Sequence, residues 1–314
     1  MLSGSARFNL MLSLPAIVLA LLLAAIGGLM SPAFISDSNL ANLANRALPL
    51  GLAALGEALV LFAGRIDLSV GSIVSLATVI MAVVSPAIGW MAIPLTLAAG
   101  ALAGGVTALG VFALRINPLV MSLATAAIVK GCAFLVLPSP GGEVDYAFYA
   151  PLFEGERLLN PALVILLASY VLATLVMGWT RLGRTLYAFG SDSSAAYANG
   201  VAPWKVDVVV YVVAGMLSAT AGVLLSIRIL SGDPLIGESY TLDAVAAAIL
   251  GGVALKGGRG APIGVLFAVV ALVLVDNMFN LLNLDTNLQA IVKGLIFVAA
   301  LLFFMRGKAA EGAS

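Results

Sequence analysis

Histidine is absent from the 314-residue chain, and cysteine occurs once, at Cys132. Without His there is no H-E-x-x-H zinc motif, no imidazole acid–base chemistry and no Cys–His nucleophilic pair. A single Cys cannot close a disulfide within the chain, and Cys132 sits in an apolar run where a small buried packing residue is expected. Charge is scarce too. Asp, Glu, Lys and Arg supply 10% of the residues, where a soluble domain carries about a quarter. The 15 basic and 15 acidic residues cancel, so no electrostatic footprint for nucleic acid exists. No Gly-x-x-x-x-Gly-Lys-Ser/Thr segment occurs; Gly307-Lys308 is followed by Ala309 and lacks the upstream Gly. ATP therefore has no phosphate-binding loop here.

What is abundant is apolar: 62% of residues are hydrophobic and mean hydropathy is +1.14. Runs of about twenty apolar residues, enough to cross a hydrocarbon core of about 30 Å, recur along the chain and close on a lone Arg or Lys. Leu10–Met30 is the first, and Leu288–Phe304, followed by Arg306 and Lys308, is the last. The first outruns the apolar region of about 7–15 residues in a cleaved signal peptide, so a retained helix is expected. Reading by length predicts an all-α, polytopic membrane protein. Its ten crossings fall near 10–30, 47–63, 68–88, 91–114, 118–137, 161–179, 206–227, 240–255, 261–279 and 288–304. The runs at 47–63 and 240–255 are short and hold Glu57 and Asp243, which suits tilted, broken or partly crossing helices.

Ten crossings put both termini on one side. Arg7, Arg65, Arg115, Arg181, Arg184, Lys205, Lys256, Arg259, Arg306 and Lys308 fall on that side, against Arg46, Arg157 and Arg228 opposite. Basic residues favour the cytoplasm, so the termini are expected there. Asp37, Glu143, Asp145, Glu154, Glu156, Asp233, Glu238 and Asp285 are assigned outside. Two connections are long enough to act. The outer loop 138–160 has Pro138, Pro140, Gly141 and Gly142, four acids, and Tyr146, Phe148 and Tyr149. The inner loop 180–205 carries signals for a short helix: Ser191 or Asp192 as cap, then Ala195, Ala196 and Tyr197, with Asn199-Gly200 as stop.

Small residues line the seventh helix (Gly215, Ala219, Gly222), the fourth (Gly100, Gly104) and the ninth (Gly260, Gly264). Such stripes mark close helix contacts, with oligomerisation through one of them as the other reading. Glu57, Lys130, Asp243, Asp276 and Lys293 lie inside apolar runs, where a central charge costs about 2.5–3.5 kcal/mol. They line a pathway or gate, or they hold helices together. Asp243 near the start of its run reads as a helix cap, with a charged pair to Lys130 or Lys293 as the alternative. Glycine-rich breaks occur at Gly64–Ser72 and Gly251–Gly260, one in each half, the pattern of a transporter built from two related halves with broken helices.

Gly64-Arg65-Ile66-Asp67-Leu68-Ser69-Val70-Gly71-Ser72 resembles the signature of permease subunits from ATP-binding-cassette importers of bacterial monosaccharides, the ribose/xylose/arabinose type. The similarity runs over nearly the whole chain. It includes Ile116-Asn117-Pro118 with Thr125, Thr180–Arg184 through Tyr187–Gly190 to Ala195-Ala196 and Gly200-Val201, Leu242–Ala246 with Gly251-Gly252 and Gly257–Gly260, Asn280–Leu282, and Ile291–Leu295. The resemblance implies a single transmembrane permease domain over 1–314 in the bacterial inner membrane, carrying no cofactor and no catalytic or metal site. A separate cytoplasmic ATP-binding subunit holds ATP and Mg. A periplasmic or lipid-anchored binding protein delivers the monosaccharide, and a second permease subunit, identical or paralogous, completes the channel. Arg184, Gly190, Ala195, Ala196, Gly200 and Val201 become candidate ATPase-coupling residues. Asp67, Ser69, Gly71, Asn117, Thr125, Lys130, Asp243, Gly251, Gly252 and Lys293 become candidate pathway or gate residues. Arg65 replaces the signature's second Gly, adding bulk and charge at the inner mouth. Similar permeases carry branched-chain amino acids, nucleosides or signalling furanosides. An ion-coupled secondary transporter using Glu57, Asp243 and Asp276 is the competing reading, against which the structured inner loop stands. An intramembrane enzyme has neither His nor a repeated carboxylate or Ser/Lys motif to work with.

Overall fold

The computed structural model describes residues 11–153, 160–282, 291–292 and 294–295. Among these residues every regular element is helical, apart from one antiparallel bridge between Gly141 and Gly232. The helices are α1 (Leu14–Met30), α2 (Asp37–Phe62), α3 (Val70–Ile88), α4 (Ala92–Phe112), α5 (Pro118–Val136), α6 (Tyr146–Phe153), α7 (Pro161–Trp179), α8 (Arg181–Ser191), α9 (Ser193–Ala198), α10 (Pro203–Ile229), α11 (Glu238–Leu250) and α12 (Pro262–Leu281). Short 3-10 turns at Pro32–Ile35 and Gly89–Met91 reverse the chain. Helix starts follow local chemistry. Pro occupies the first turn of α5, α7, α10 and α12, where its missing N–H costs nothing. Asn117, Asn160 and Ser36 accept backbone N–H bonds at the starts of α5, α7 and α2.

Two long helices form the centre. α2 has 26 residues, about 39 Å at 1.5 Å per residue, and nearly its whole C-terminal two-thirds is buried. α10 packs against α2, α3 and α4 at once. The close approach is made by the predicted small residues. Gly100 faces Gly215 and Ala219, Gly104 faces the Tyr211 carbonyl, and Gly222 faces Val74 and Ala77. A Cβ on any of these glycines would land on backbone of the facing helix. Between helices in lipid, such backbone proximity replaces the hydrophobic drive.

The all-α expectation holds, but the crossing count does not reach ten among the described residues. Six helical stretches are long and apolar enough to span a bilayer: Asp37–Phe62, Val70–Phe112, Pro118–Val136, Pro161–Trp179, Pro203–Ile229 and Pro262–Leu281. The second holds 43 residues and is folded back on itself at Gly89–Met91 into α3 and α4, as the separate runs at 68–88 and 91–114 predict. α1 is shorter, with 17 residues. α11 has 13 residues. The run 288–304, with Lys293, lies almost wholly outside the described residues.

Two expectations are corrected. Cys132 is exposed rather than buried, because α5 lies at the periphery, packing on α3 and α4 with its other face outward. An apolar run in a membrane protein does not distinguish lipid-facing from core-facing positions. Asp243 is not a cap: α11 starts at Glu238, which places Asp243 in its second turn. Within the segment 138–153 the chain forms α6. Tyr146 stacks on Tyr149 at 5.2 Å and Trp90 meets Phe148 at 4.4 Å.

Candidate functional site

At one end of the bundle three segments distant in sequence meet. The first is the turn after α2. Gly64 takes a φ of 70° and Arg65 Nε donates to Asp207 Oδ1 of α10 at 3.1 Å, while its guanidinium lies 5.3 Å from the Phe189 ring. Asp67 Oδ1 accepts from the Ser69 amide at 2.8 Å and from Ser69 Oγ at 2.6 Å, which fixes the turn into α3. The Asp67 amide donates to Glu57 Oε1 at 3.4 Å, and Tyr211 OH donates to the Ile66 carbonyl at 3.4 Å. Burial pushes the Asp67 carboxyl above the usual carboxylate range, with the Ser69 hydrogen bonds opposing.

The second segment is α8, with Thr180 at its start accepting from the Gly183 amide. Leu186 and Phe189 are buried and Arg181, Arg184 and Ala188 are exposed, so the helix lies flat on the bundle. Tyr187 OH donates to the Gly260 carbonyl at 2.7 Å, and its ring sits 5.3 Å from Phe62. Gly190 passes directly over the Phe62 carbonyl. The third segment is the break 251–260. The Gly258 amide donates to that same Phe62 carbonyl at 3.0 Å, and Gly257 lies against Gly64 and Gly190. Gly257, Gly258 and Gly260 all have positive φ, which only glycine adopts without strain. The two glycine breaks and α8 thus form one contact.

Beyond α8, Asp192 is the cap, accepting from Ser194 and Ala195 amides at 2.9 Å each, and Asn199-Gly200 ends α9. Among the coupling candidates, Arg184, Ala195 and Gly200 are exposed. Gly190 is locked against backbone and Val201 is half-buried, its amide bonded to the Ala196 carbonyl at 3.1 Å. Ala196 turns inward into this chain's own core. Tyr197 and Trp204 supply exposed apolar area beside them.

A second grouping surrounds the start of α11. After α10, residues 231–237 run without helix along α3. Asp233 N–H donates to Thr78 Oγ1 at 3.1 Å and the Gly237 amide to Ser75 Oγ at 2.9 Å. Non-helical backbone among apolar helices survives where protein satisfies it, as Ser75 and Thr78 do here. Gly71 is pressed against Gly237 and Thr241. Glu238, assigned outside by sequence, forms an ion pair with Lys130 of α5, both side chains substantially exposed. The structure therefore gathers Gly71 and Lys130 at the head of the helix that carries Asp243, and Gly251 at its tail against Val265 of α12. It does not gather the rest. Asp67 and Ser69 are fully buried in the turn after α2, and Asn117 is an exposed cap bonding the Leu119 amide at 3.0 Å. Thr125 accepts from Thr107 Oγ1 at 2.8 Å between α4 and α5. Gly252, with φ 88°, packs on the Leu12 carbonyl. Lys293 lies outside the described residues.

Sequence reading by apolar length missed the first turns of α2. Asn39 exchanges amide hydrogen bonds with Asn277, and Asn45 accepts from Asn160 at 2.6 Å. Asn42 Oδ1 accepts from Arg228 at 3.1 Å and from Arg46 at 3.4 Å. The 39, 42, 45 spacing is a polar stripe on a helix, and Ser36-Asp37 its start signal. An apolar cleft of about 230 Å³ between α2, α7 and α10 has only Ser169 as a polar side chain and suits hydrocarbon, not a hydroxyl-rich solute.

Against known proteins, residues 39–301 match the model of the branched-chain amino acid transport system / permease component family. The chain is 34% identical over 289 residues to the ribose import permease protein of Bacillus subtilis, covering 90% of this chain and 89% of that protein. It is 32% identical over 293 residues to the ribose import permease protein of Escherichia coli K12, covering 91% of each. It is 33% identical over 256 residues to the L-arabinose transport system permease protein of the same strain, covering 81% of this chain and 78% of that one. No solved structure gave a significant match.

Proposed function

The chain belongs to the branched-chain amino acid transport system / permease component family, and from that premise we propose that it is the membrane permease of an ATP-driven importer whose solute is a monosaccharide of ribose or arabinose kind. The observation that carries the reading is the contact of α8 with both glycine breaks. A surface helix pinned to the backbone of two broken segments can move them when a partner pushes on it. The partner is a cytoplasmic ATP-binding subunit holding ATP and Mg, seated on the exposed residues Arg184, Ala195, Tyr197 and Gly200 of α8, α9 and the turn after them. A binding protein delivers the sugar at the opposite end.

The chain crosses the inner membrane ten times as two related halves, with termini in the cytoplasm. Arg65, Arg181, Arg184, Lys256 and Arg259 belong to the turn, helix and break that meet at one end, while Arg46 and Arg228 lie at the other, which supports that orientation. The pathway runs along the face bearing Lys130, Glu238 and Asp243, enclosed by a second permease subunit. An ion pair this exposed at membrane depth needs water or protein over it.

Single cysteines at Ser193 and Glu143, in a Cys132→Ala background, test the orientation. Both positions are exposed. An impermeant maleimide added outside intact cells should label only the Glu143 position. Labelling at Ser193 from outside would take α8–α9 out of reach of a cytoplasmic ATPase, and the importer assignment with it.

A further inference from the structure

The turn that receives α8 buries two carboxyl groups with less company than they need. Glu57 and Asp67 are both 0% exposed. Glu57 Oε1 takes the Asp67 amide, and Asp67 Oδ1 takes the Ser69 amide and hydroxyl. Glu57 Oε2 and Asp67 Oδ2 are buried with no donor. The charged and titratable neighbours do not fill the gap. Arg65 gives its Nε to Asp207, and Tyr211 OH is spent on the Ile66 carbonyl. Tyr211 lies within electrostatic reach of both carboxyls and of Asp207 and Arg65. On the facing break, Lys256 and Arg259 are exposed. Two full negative charges in a fully buried site are far more costly than the hydrogen bonds present can offset.

We propose that Glu57 and Asp67 together bind one monovalent cation, a proton or a sodium ion, on their two unpartnered oxygens. The cation supplies the missing donor or Lewis acid and removes one of the two charges. It makes the turn between α2 and α3 rigid at the point where Phe62, Gly190 and Gly258 meet. The ion is held in place and not carried across, so the site is independent of what the permease imports or what drives it.

The purified full-length chain tests this without any transport assay. Thermal unfolding is followed from about pH 6 to about pH 9 in sodium chloride and in choline chloride, for the wild type, Glu57→Gln and Glu57→Ala. If the cation is a proton, the folded chain holds one that the unfolded chain releases, so wild-type Tm falls as pH rises in both salts. Glu57→Gln carries a permanent neutral donor, so its Tm should stay flat and exceed that of the wild type by a margin that grows as pH rises, whereas Glu57→Ala lies below Glu57→Gln throughout. The wild type should also show the infrared carbonyl band of a protonated carboxyl, absent from Glu57→Gln. If the cation is sodium, wild-type Tm at the alkaline end is higher in sodium than in choline chloride, and Glu57→Gln abolishes the difference. A wild-type Tm indifferent to both pH and sodium, with no protonated-carboxyl band, overturns the proposal. Should Glu57→Gln fail to fold, the wild-type band and sodium response decide alone.

Discussion

Gly104→Val should leave almost no folded protein in the membrane, while Gly105→Val, one residue on, should be tolerated. Gly104 sits where α4 crosses α10, and a Cβ there would fall on the Tyr211 carbonyl and its peptide carbon. The obstacle is backbone, which no rotamer change can move aside. Tyr211 is itself among the largest fully buried side chains, so α10 cannot slide to make room. Overpacking of a tight core costs about 1–3 kcal/mol when side chains can adjust, and a backbone collision at the central crossing belongs at or above that range. Marginal stability of about 5–15 kcal/mol makes such a loss visible as lost folded protein. At Gly105 the nearest atom to a new Cβ is Val212 Cγ2, 3.9 Å away, an ordinary contact. Membrane abundance and detergent-extracted monodisperse protein for the two variants provide the measurement. Equal yields would remove the α4–α10 crossing from the structural account.

Gly190→Val should act differently, preserving insertion and abolishing uptake. Its side chain would drive into the Phe62 carbonyl and the Gly258 amide, breaking the 3.0 Å bond between them. That bond joins α2 to the second glycine break, and Gly190 is the point where α8 touches both. The cost is local, about 1–3 kcal/mol, because α8 is a surface helix outside the central crossing. Motion imposed on α8 would no longer reach the breaks, and a tenfold or greater fall in sugar uptake per folded permease is expected. Gly178→Val is the control, since nothing lies within 4 Å of a Cβ there. Full uptake by Gly190→Val would separate the three segments functionally, whatever their contact.

The glycines that carry both results were legible as a pattern but not as contacts. The Gly100/Gly104 and Gly215/Ala219/Gly222 stripes announced tight packing; which stripe met which required coordinates. Likewise the breaks at 64–72 and 251–260 stood out as irregular backbone, and the cap and stop of α9 were readable from Asp192 and Asn199-Gly200. Their meeting at Phe62 was not, because hydrogen bonds between segments nearly two hundred residues apart leave no local periodicity. Apolar length misled in two places. It cut off the first turns of α2, whose asparagines are satisfied by Asn277, Arg228 and Asn160 on other elements. It also started the eighth run at 240, although α11 begins at Glu238 after a non-helical segment that Ser75 and Thr78 hold along α3. Cys132 shows the same limit on α5, where apolar residues face outward as readily as inward.

If this chain moves sugar on energy that a partner's ATP delivers through α8, uptake must follow ATP and not the ion gradients. The direct measurement is uptake of radiolabelled ribose and arabinose by cells with and without the chain. It is made once with ATP depleted while the ion gradients are held, and once with the gradients collapsed while ATP is held. Chain-dependent uptake of at least one of these sugars should stop on ATP depletion and survive collapse of the gradients. Chain-dependent uptake that persists without ATP and stops with the gradients would contradict it, and would make an ion-coupled transporter of this protein.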